Sequence, residues 1–243
     1  MIPWLDSDVV AFPPVDLALQ SPNGLLAAGG DLTPEWLICA YQQGIFPWFE
    51  ADQPILWWTP DPRMVLYPQE FHLSASLRRL LGQHRFGLSI DQDFAGVITG
   101  CSEPRRYTES TWITSELKTA YQKLHDLGIA HSVEVWDEER LVGGLYGVAL
   151  GRIFFGESMF SRSSNTSKLA LVFLVQHLRK WRYRLIDCQV STPHLASLGA
   201  REIPRRDFME QIDRHVGGQR KPATWQAVAV TRNCDWDRDW KAQ

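Results

Sequence analysis

The stretch from Arg140 to Thr192 decides the fold and reads RLVGGLYGVALGRIFFGESMFSRSSNTSKLALVFLVQHLRKWRYRLIDCQVST. Its first half predicts a β-hairpin, because two apolar and aromatic runs flank a turn at Leu150-Gly151. A polar loop then leads into a strongly apolar helix predicted from about Ser167 to Trp181. The run RLIDCQV that follows is typical of a short strand. A strand–loop–helix–strand unit is therefore the predicted centre of the fold.

The segments before this unit complete a mixed architecture. From Phe86 the sequence predicts a strand with a short helix, then an amphipathic helix closed by Gly128, then a strand that precedes the hairpin. Three antiparallel strands followed by a loop and a central helix fit the acetyltransferase-type (GNAT-like) layout, an analogy of fold alone. We therefore expect an α+β fold with a mixed sheet flanked by helices.

The first 62 residues have a different texture, rich in Pro, Gly and Trp. They contain one clear helix, from Pro34 to about Gln43, with Thr33 as N-cap and Gly44 as C-cap. Such a segment buries little surface alone, so we expect a small N-terminal domain (1–62) that packs on a larger GNAT-like domain (63–243). The tail from about residue 217 has no predicted structure.

Composition limits the classes of protein that are possible. Of 243 residues, 44% are apolar and 22% charged, as in globular proteins. The net charge of -3 gives no overall attraction to nucleic acid, so an RNA partner would need a local basic patch. Four dispersed cysteines, with no signal peptide and no run of 18 apolar residues, predict a reduced, cytoplasmic protein without a zinc site or membrane association.

Two polar residues in the late strand stand out, together with one in the strand before the helix. Alternation places Asp187 and Gln189 on one face and Cys188 on the other. Their unpaired burial would cost several kcal/mol. Two interpretations stay open: a buried pair that satisfies backbone groups, or the lining of a pocket at the end of the strand. Glu157 is equally compatible with a buried site and an exposed edge.

Aromatic and basic residues suggest contacts with a nucleotide. Trp48 and Trp112 lie in short, turn-flanked segments, where they either anchor loops or stack on a nucleobase, worth about 1–3 kcal/mol per base. Arg78 and Arg79, on a predicted helix, are candidates for phosphate contacts. The loop RSSNTS has no glycine that would let a pyrophosphate approach the backbone, which disfavours a coenzyme A substrate. The histidines have no metal-ligand spacing.

Several blocks, together and in order between Phe12 and Phe208, resemble the leucyl/phenylalanyl-tRNA–protein transferase family. They are PNGLLAAGGDL, AYQQGIFPWF, ILWWTPDPR, TWIT, YQKLHDLGIAHSVEVW, LVGGLYGVALG, FFGESMFSR, SNTSKLAL, LIDCQV and HLASLGAREIPRRDF. The resemblance implies a bacterial cytosolic enzyme of the N-end rule degradation pathway. It implies transfer of Leu or Phe from aminoacyl-tRNA to the α-amino group of proteins that begin with Arg or Lys, by a monomer without metal or organic cofactor.

The resemblance also implies roles for individual residues. Asp187, Gln189 and Glu157 would be the catalytic polar groups, and Trp48 and Trp112 would bracket the 3′-terminal adenosine. Within this scheme we expect Asp187 to orient Gln189 and the amine, and Glu157 to hold the cationic end of the acceptor. The amine proton would leave through Gln189 or through the ribose hydroxyl of the substrate. The pocket for the transferred side chain would include Phe154, Met159, Leu174, Leu178 and Ile186. The periodicity of the helix alone assigns Leu174 and Leu178 to the core. The alternative functions are an acyl-CoA-dependent N-acyltransferase and a non-catalytic tRNA-binding module.

Overall fold

The computed structural model describes residues 2–104, 112–217 and 225–232. The strands are β1 Trp4–Leu5, β2 Leu25–Gly29, β3 Phe46–Pro47, β4 Leu56–Trp58, β5 Arg63–Leu66, β6 Gly87–Ile90, β7 Ala130–Asp137, β8 Arg140–Leu150, β9 Ile153–Ser161, β10 Leu185–Gln189, β11 Arg201–Ile203 and β12 Val228–Thr231. The α-helices are α1 Pro34–Gln42, α2 Ala75–Leu81, α3 Phe94–Cys101, α4 Ser115–Asp126, α5 Thr166–Lys180, α6 Pro193–Ser197 and α7 Arg205–His215.

The larger sheet has eight strands in the order β11-β5-β10-β9-β8-β7-β6-β12. It is mixed, because β10 pairs with β9 in parallel and with β5 antiparallel. The predicted order of meander, loop, central helix and strand corresponds to β7–β9, the loop, α5 and β10. The prediction of an α+β fold with a mixed sheet is confirmed.

Helices cover both faces of this sheet. Alternation along β8 sends Leu145 into the cluster formed with α2 and α5, and Tyr146 into the cluster formed with α3 and α4. Gly147, in the same strand, lies at a register shift between β8 and β9. A Cβ atom at Gly147 would lie 2.2 Å from the carbonyl oxygen of Phe155, so only glycine fits there.

The N-terminal segment forms its own four-stranded sheet, in the order β1-β2-β4-β3. Helix α1 begins at Pro34 as predicted, with Thr33 in the N-cap position and Gly44 in the left-handed region at φ +68°. Trp36 and Leu37 of α1 share one core cluster with α3 and α4. The N-terminal segment thus packs on the larger sheet, while the domain boundary at residue 62 stays a prediction.

The strand β10 departs from regular alternation at its end. Pairing with β5 shifts register between Asp187 and Gln189, and Gln189 has a φ of +61°. Cys188, predicted to face away from Asp187, lines the same cavity as Asp187 and Gln189. Cys188 nevertheless packs on the cluster formed with α5. Asp187 instead pairs with Arg63, between Phe46 and Phe208 of the opposite cluster, as the predicted alternation requires.

The tail contributes a strand that the sequence did not predict. β12 pairs antiparallel with β6, with Val228 opposite Ile90, and extends the large sheet. The rest of the predicted tail, residues 218–224 and 233–243, lies outside the described residues. No helix in the described ranges is long and apolar enough to cross a membrane.

Candidate active site

A cavity of about 600 Å³ opens where two parallel strands separate. The pairing of β9 with β10 ends at Phe155 and Asp187, and Gly156 and Glu157 follow on the cavity side. Helix α5 supplies one wall, and Trp48 of the N-terminal segment lies at the cavity. Residues distant in sequence therefore converge at this gap in the sheet.

Most of the predicted site residues line this cavity. These are Trp48, Trp112, Phe154, Glu157, Met159, Leu174, Ile186, Asp187 and Gln189. Trp48 is 45% exposed, whereas Phe154 is only 1% exposed. One cavity thus combines an apolar wall, polar groups and indole rings.

Three predicted residues lie elsewhere. Leu178 is fully buried in the core around α5 and does not line the cavity as it stands, so its assignment to the pocket stays a prediction. It follows Leu174 by one helical turn, about 5–6 Å along the axis, which carries it past the cavity. Arg78 and Arg79 are exposed on α2, away from the cavity lining.

Glu157 lies at the centre of a hydrogen-bonded cluster. Tyr41 Oη donates to its Oε1 at 2.7 Å and Tyr121 Oη to its Oε2 at 2.8 Å. Gln189 Nε2 donates to Oε1 at 2.9 Å. Burial raises the pKa of Glu157 to about 7, although the tyrosine and glutamine hydrogen bonds favour the ionised form. Sequence reasoning missed both tyrosines, since nothing local links them to Glu157.

The two tyrosine hydroxyls also touch each other, at 2.6 Å between oxygens. Burial raises the pKa of both Tyr41 and Tyr121 well above the usual range, so both are protonated near neutral pH. The contacts Tyr41–Tyr121, Tyr41–Glu157 and Tyr121–Glu157 are three oxygen–oxygen contacts, but the two tyrosines supply only two hydroxyl protons for them. A third proton, on Glu157, would complete the ring, in agreement with the raised pKa of that carboxyl group.

Asp187 is held by a buried arginine. Arg63 Nε donates to Oδ1 at 2.8 Å and Arg63 Nη2 to Oδ2 at 2.7 Å, and both side chains are fully buried. The guanidinium lies between the rings of Phe46 and Phe208, at 4.8 and 4.7 Å. Sequence reasoning missed Arg63, which begins β5 and looks in sequence like part of a turn-rich linker.

Asp187 in turn fixes the backbone of Gln189. The backbone N–H of Gln189 donates to Asp187 Oδ1 at 3.0 Å, which supports its left-handed conformation. A chain of contacts therefore runs from Arg63 through Asp187 and Gln189 to Glu157. Of these four side chains, only Glu157 and Gln189 keep exposed surface at the cavity, whose lining also includes the polar residues Ser158, Ser191, Thr192 and His194. Within the described ranges, no group of three or more His, Cys, Asp or Glu residues is arranged to hold a metal ion.

Comparison with known proteins bears on what this cavity serves. The family model described as leucyl/phenylalanyl-tRNA protein transferase matches residues 65–213, and the model of its N-terminal domain matches residues 30–61. The protein of that name from Pseudomonas syringae pv. syringae is 55% identical over 230 residues, which are 95% of this chain and 100% of the relative. The chain belongs to the leucyl/phenylalanyl-tRNA–protein transferase family.

A second relative agrees with this assignment. The leucyl/phenylalanyl-tRNA–protein transferase of Pseudomonas aeruginosa is 57% identical over 215 residues, covering 88% of this chain and 95% of the relative. Among solved structures, L-PGS from Bacillus licheniformis matches with a TM-score of 0.40 and 13% identity, over 78% of this chain and 64% of that one. The predicted membership of the transferase family is confirmed.

Proposed function

We propose that this chain transfers a leucyl or phenylalanyl group from aminoacyl-tRNA to the α-amino group of a protein. The observation that carries the proposal is a single cavity with an apolar wall, indole rings and the Glu157–Gln189 pair. The aminoacyl-adenosine end of a charged tRNA has three groups that match these features: an apolar side chain, a planar base and a reactive polar ester.

The donor binds along the apolar wall in this proposal. Its side chain packs against Phe154, Met159, Leu174 and Ile186, and its adenine stacks on Trp48 and Trp112. Arg78 and Arg79, exposed on α2, contact tRNA phosphates further from the ester. Discrimination among side chains comes from pocket volume, at about 1–3 kcal/mol per methylene.

The acceptor amine meets Glu157. Asp187 already has a cationic partner, Arg63, so its charge is neutralised. In the part of the chain that the structure describes, Glu157 has no cationic partner of its own. In this proposal its carboxylate therefore binds the positively charged α-ammonium group of the acceptor. We extend the proposal to acceptors that begin with Arg or Lys and are marked for N-end rule degradation.

The pKa of Glu157 is also suited to accepting the proton that the acceptor amine must lose. An α-ammonium group has a pKa of about 7.7–8.0, close to the value of about 7 for Glu157. Proton transfer over about one pKa unit costs about 1.4 kcal/mol, which is small beside a catalytic barrier. The resulting amine is a free nucleophile, hydrogen-bonded to the amide oxygen of Gln189.

The transfer step then balances without a cofactor. The amine nitrogen attacks the ester carbonyl, a C–N bond forms, and the C–O bond to the ribose breaks. The second amine proton passes to the departing ribose oxygen, and Glu157 later releases its proton to solvent. Because the ester is already activated, positioning and proton handling suffice. Asp187 acts as a positioning residue for Gln189. We place this reaction in the cytoplasm, where aminoacyl-tRNA is made, and assign it to the monomer.

The two alternative functions fit less well. A coenzyme A pyrophosphate needs free N–H groups at the start of α5, but Ser161 Oγ already accepts from the backbone N–H of Ser167 at 2.9 Å. A non-catalytic tRNA-binding module has no use for a protonatable cluster beside an apolar pocket.

The test is a direct transfer assay. Purified protein is incubated with radiolabelled Leu-tRNA and a peptide that begins with Arg, and with a matched peptide that begins with Glu. We expect label on the Arg peptide alone, and none when radiolabelled acetyl-CoA replaces the charged tRNA. Absence of label on both peptides would overturn the proposal, and label on both alike would overturn its acceptor specificity.

A further inference from the structure

The apolar wall of the cavity has a second layer behind it. Phe154 is 1% exposed and lines the cavity. The indole of Trp225 stacks on its ring, with centroids 5.7 Å apart and planes at 16°. Trp225 belongs to the tail and does not itself line the cavity, so it contacts a bound side chain only through Phe154.

Trp225 is held in a dedicated aromatic site. Its ring stacks on His131 at 4.0 Å and 17°, and the ring of Trp181 lies 4.8 Å away. Its Nε1 donates to Asp91 Oδ2 at 2.8 Å. The same carboxylate lies 2.8 Å from His131 Nδ1. The half-buried indole therefore has aromatic rings packed on it and a partner for its N–H group.

The chain after Trp225 is tied down as well. β12 begins three residues later and pairs with β6. His84 Nδ1 lies 2.8 Å from the carbonyl oxygen of Arg232, at hydrogen-bond distance. The segment 225–232 is thus a strap anchored at both of its ends, with Trp225 at one end.

The Phe154 ring also packs closely on the backbone of β8, which leaves it little room to move there. Its ring atoms Cζ and Cε1 lie 2.6 and 2.7 Å from the position that a Cβ atom would occupy at Gly147. The ring therefore packs directly on the β8 backbone and on Trp225. Removing the indole would open space into which the Phe154 ring can withdraw, and the apolar pocket would deepen.

We propose that Trp225 is a specificity-determining positioning residue, which sets the depth of the side-chain pocket by holding the Phe154 ring. This inference rests on the proposed function, since the pocket is taken to bind the transferred side chain. It assigns the strap a role in deciding which amino acids are transferred.

The test compares charged tRNAs that carry side chains of different size. For Trp225→Ala we expect the ratio of kcat/KM for Phe-tRNA to that for Leu-tRNA to rise about tenfold, the low end of what one methylene is worth in a pocket. Trp225→Phe keeps an aromatic ring on Phe154 and should keep the wild-type ratio. Trp4→Ala removes a 72% exposed tryptophan and serves as the matched control.

A second measurement separates pocket depth from loss of folding. The dissociation constants of non-hydrolysable phenylalanyl- and leucyl-adenosine amides, measured by calorimetry, should show the same change in ratio for Trp225→Ala and for the milder Trp225→Leu. An unchanged ratio in folded variants, with both substrates weakened equally, would overturn the inference. If wild-type protein transfers neither amino acid, the proposed function itself fails; if it transfers both and the ratio stays fixed, only the role of Trp225 fails.

Discussion

The guanidinium of Arg63 and the carboxylate of Asp187 form a two-pronged ion pair across 124 residues of sequence, with distances of 2.8 and 2.7 Å. Neither side chain has exposed surface. The pair joins β5, the first strand after the N-terminal segment, to the strand that carries Gln189. The N-terminal half of the chain therefore takes part in shaping the proposed catalytic cluster.

Breaking this pair should be costly. Arg63→Met leaves Asp187 as an uncompensated buried charge, and we expect the free energy of unfolding to fall by about 3–5 kcal/mol. Urea denaturation monitored by circular dichroism measures the change.

The double variant Arg63→Met, Asp187→Leu is the control for this loss. It removes both charges, so most of the stability should return. Transfer activity should not return, because the backbone N–H of Gln189 has lost its acceptor. Wild-type stability in the single variant, or restored activity in the double variant, would contradict the positioning role of Asp187.

The pH dependence of transfer should report Glu157. Its pKa is raised to about 7, so below that pH it is protonated and unable to accept the amine proton. We expect kcat/KM to rise with pH through about 7, and again through the ionisation of the amine at about 7.7–8.0. Glu157→Gln should abolish the lower ionisation and reduce the rate, as measured in single-turnover assays from pH 5.5 to 9.

Glu157→Gln should also change the free energy of unfolding, by an amount that depends on pH. A carboxyl group whose pKa is higher in the folded state stabilises the fold when protonated, and that contribution is lost as pH rises through about 7. Glu157→Gln mimics the protonated form, so the variant should gain stability relative to wild type at pH 8 and show little difference at pH 4.5. A gain of equal size at both pH values would show that Glu157 does not titrate as assigned.

The hydroxyl groups of Tyr41 and Tyr121 should affect the pKa of Glu157. The hydrogen bonds from Tyr41 and Tyr121 favour ionised Glu157, so Tyr41→Phe should raise its pKa further. The lower limb of the pH–rate profile should then move to higher pH. Tyr67→Phe, outside the cavity lining, is the control and should leave the profile in place. A shift to lower pH in Tyr41→Phe would refute the assigned hydrogen bonds.

The indoles at the cavity should affect the donor more than the acceptor. Trp48→Ala and Trp112→Ala each remove a stacking surface worth about 1–3 kcal/mol, so KM for Leu-tRNA should rise roughly 5- to 150-fold. KM for the acceptor peptide should change little in steady-state assays. Equal loss for both substrates would instead identify these residues as loop anchors.

Two leucines of α5 provide a matched pair. Leu174 lines the cavity and Leu178 does not, although both are fully buried. Each change to alanine should cost about 2–5 kcal/mol of stability. Only Leu174→Ala should raise the ratio of Phe to Leu transfer, measured in competition between the two charged tRNAs. A comparable rise in the ratio of Phe to Leu transfer for Leu178→Ala would show that Leu178 also shapes the side-chain pocket.

Local patterns were enough to predict much of the molecule. Helix α4, predicted to close at Gly128, ends at Asp126, and Gly128 lies in the left-handed region at φ +70°. The hairpin of β8 and β9 follows from short-range alternation and a glycine turn. These signals reside in neighbouring residues, so sequence alone carries them. They also sufficed to bring Asp187, Gln189 and Glu157 forward as a polar group.

Other features come only from chain segments brought together in space. The partners of the polar cluster, Arg63 and Tyr41, precede Asp187 and Glu157 by 124 and 116 residues, respectively. The bulge that turns Gln189, and the cavity on which Trp225 acts through Phe154, depend on where β9 and β10 part. Sequence by itself determined the helices, the hairpin and the kinds of residue at the site. Tertiary structure alone decided which of them meet, because contacts between distant segments leave no periodic trace in the chain.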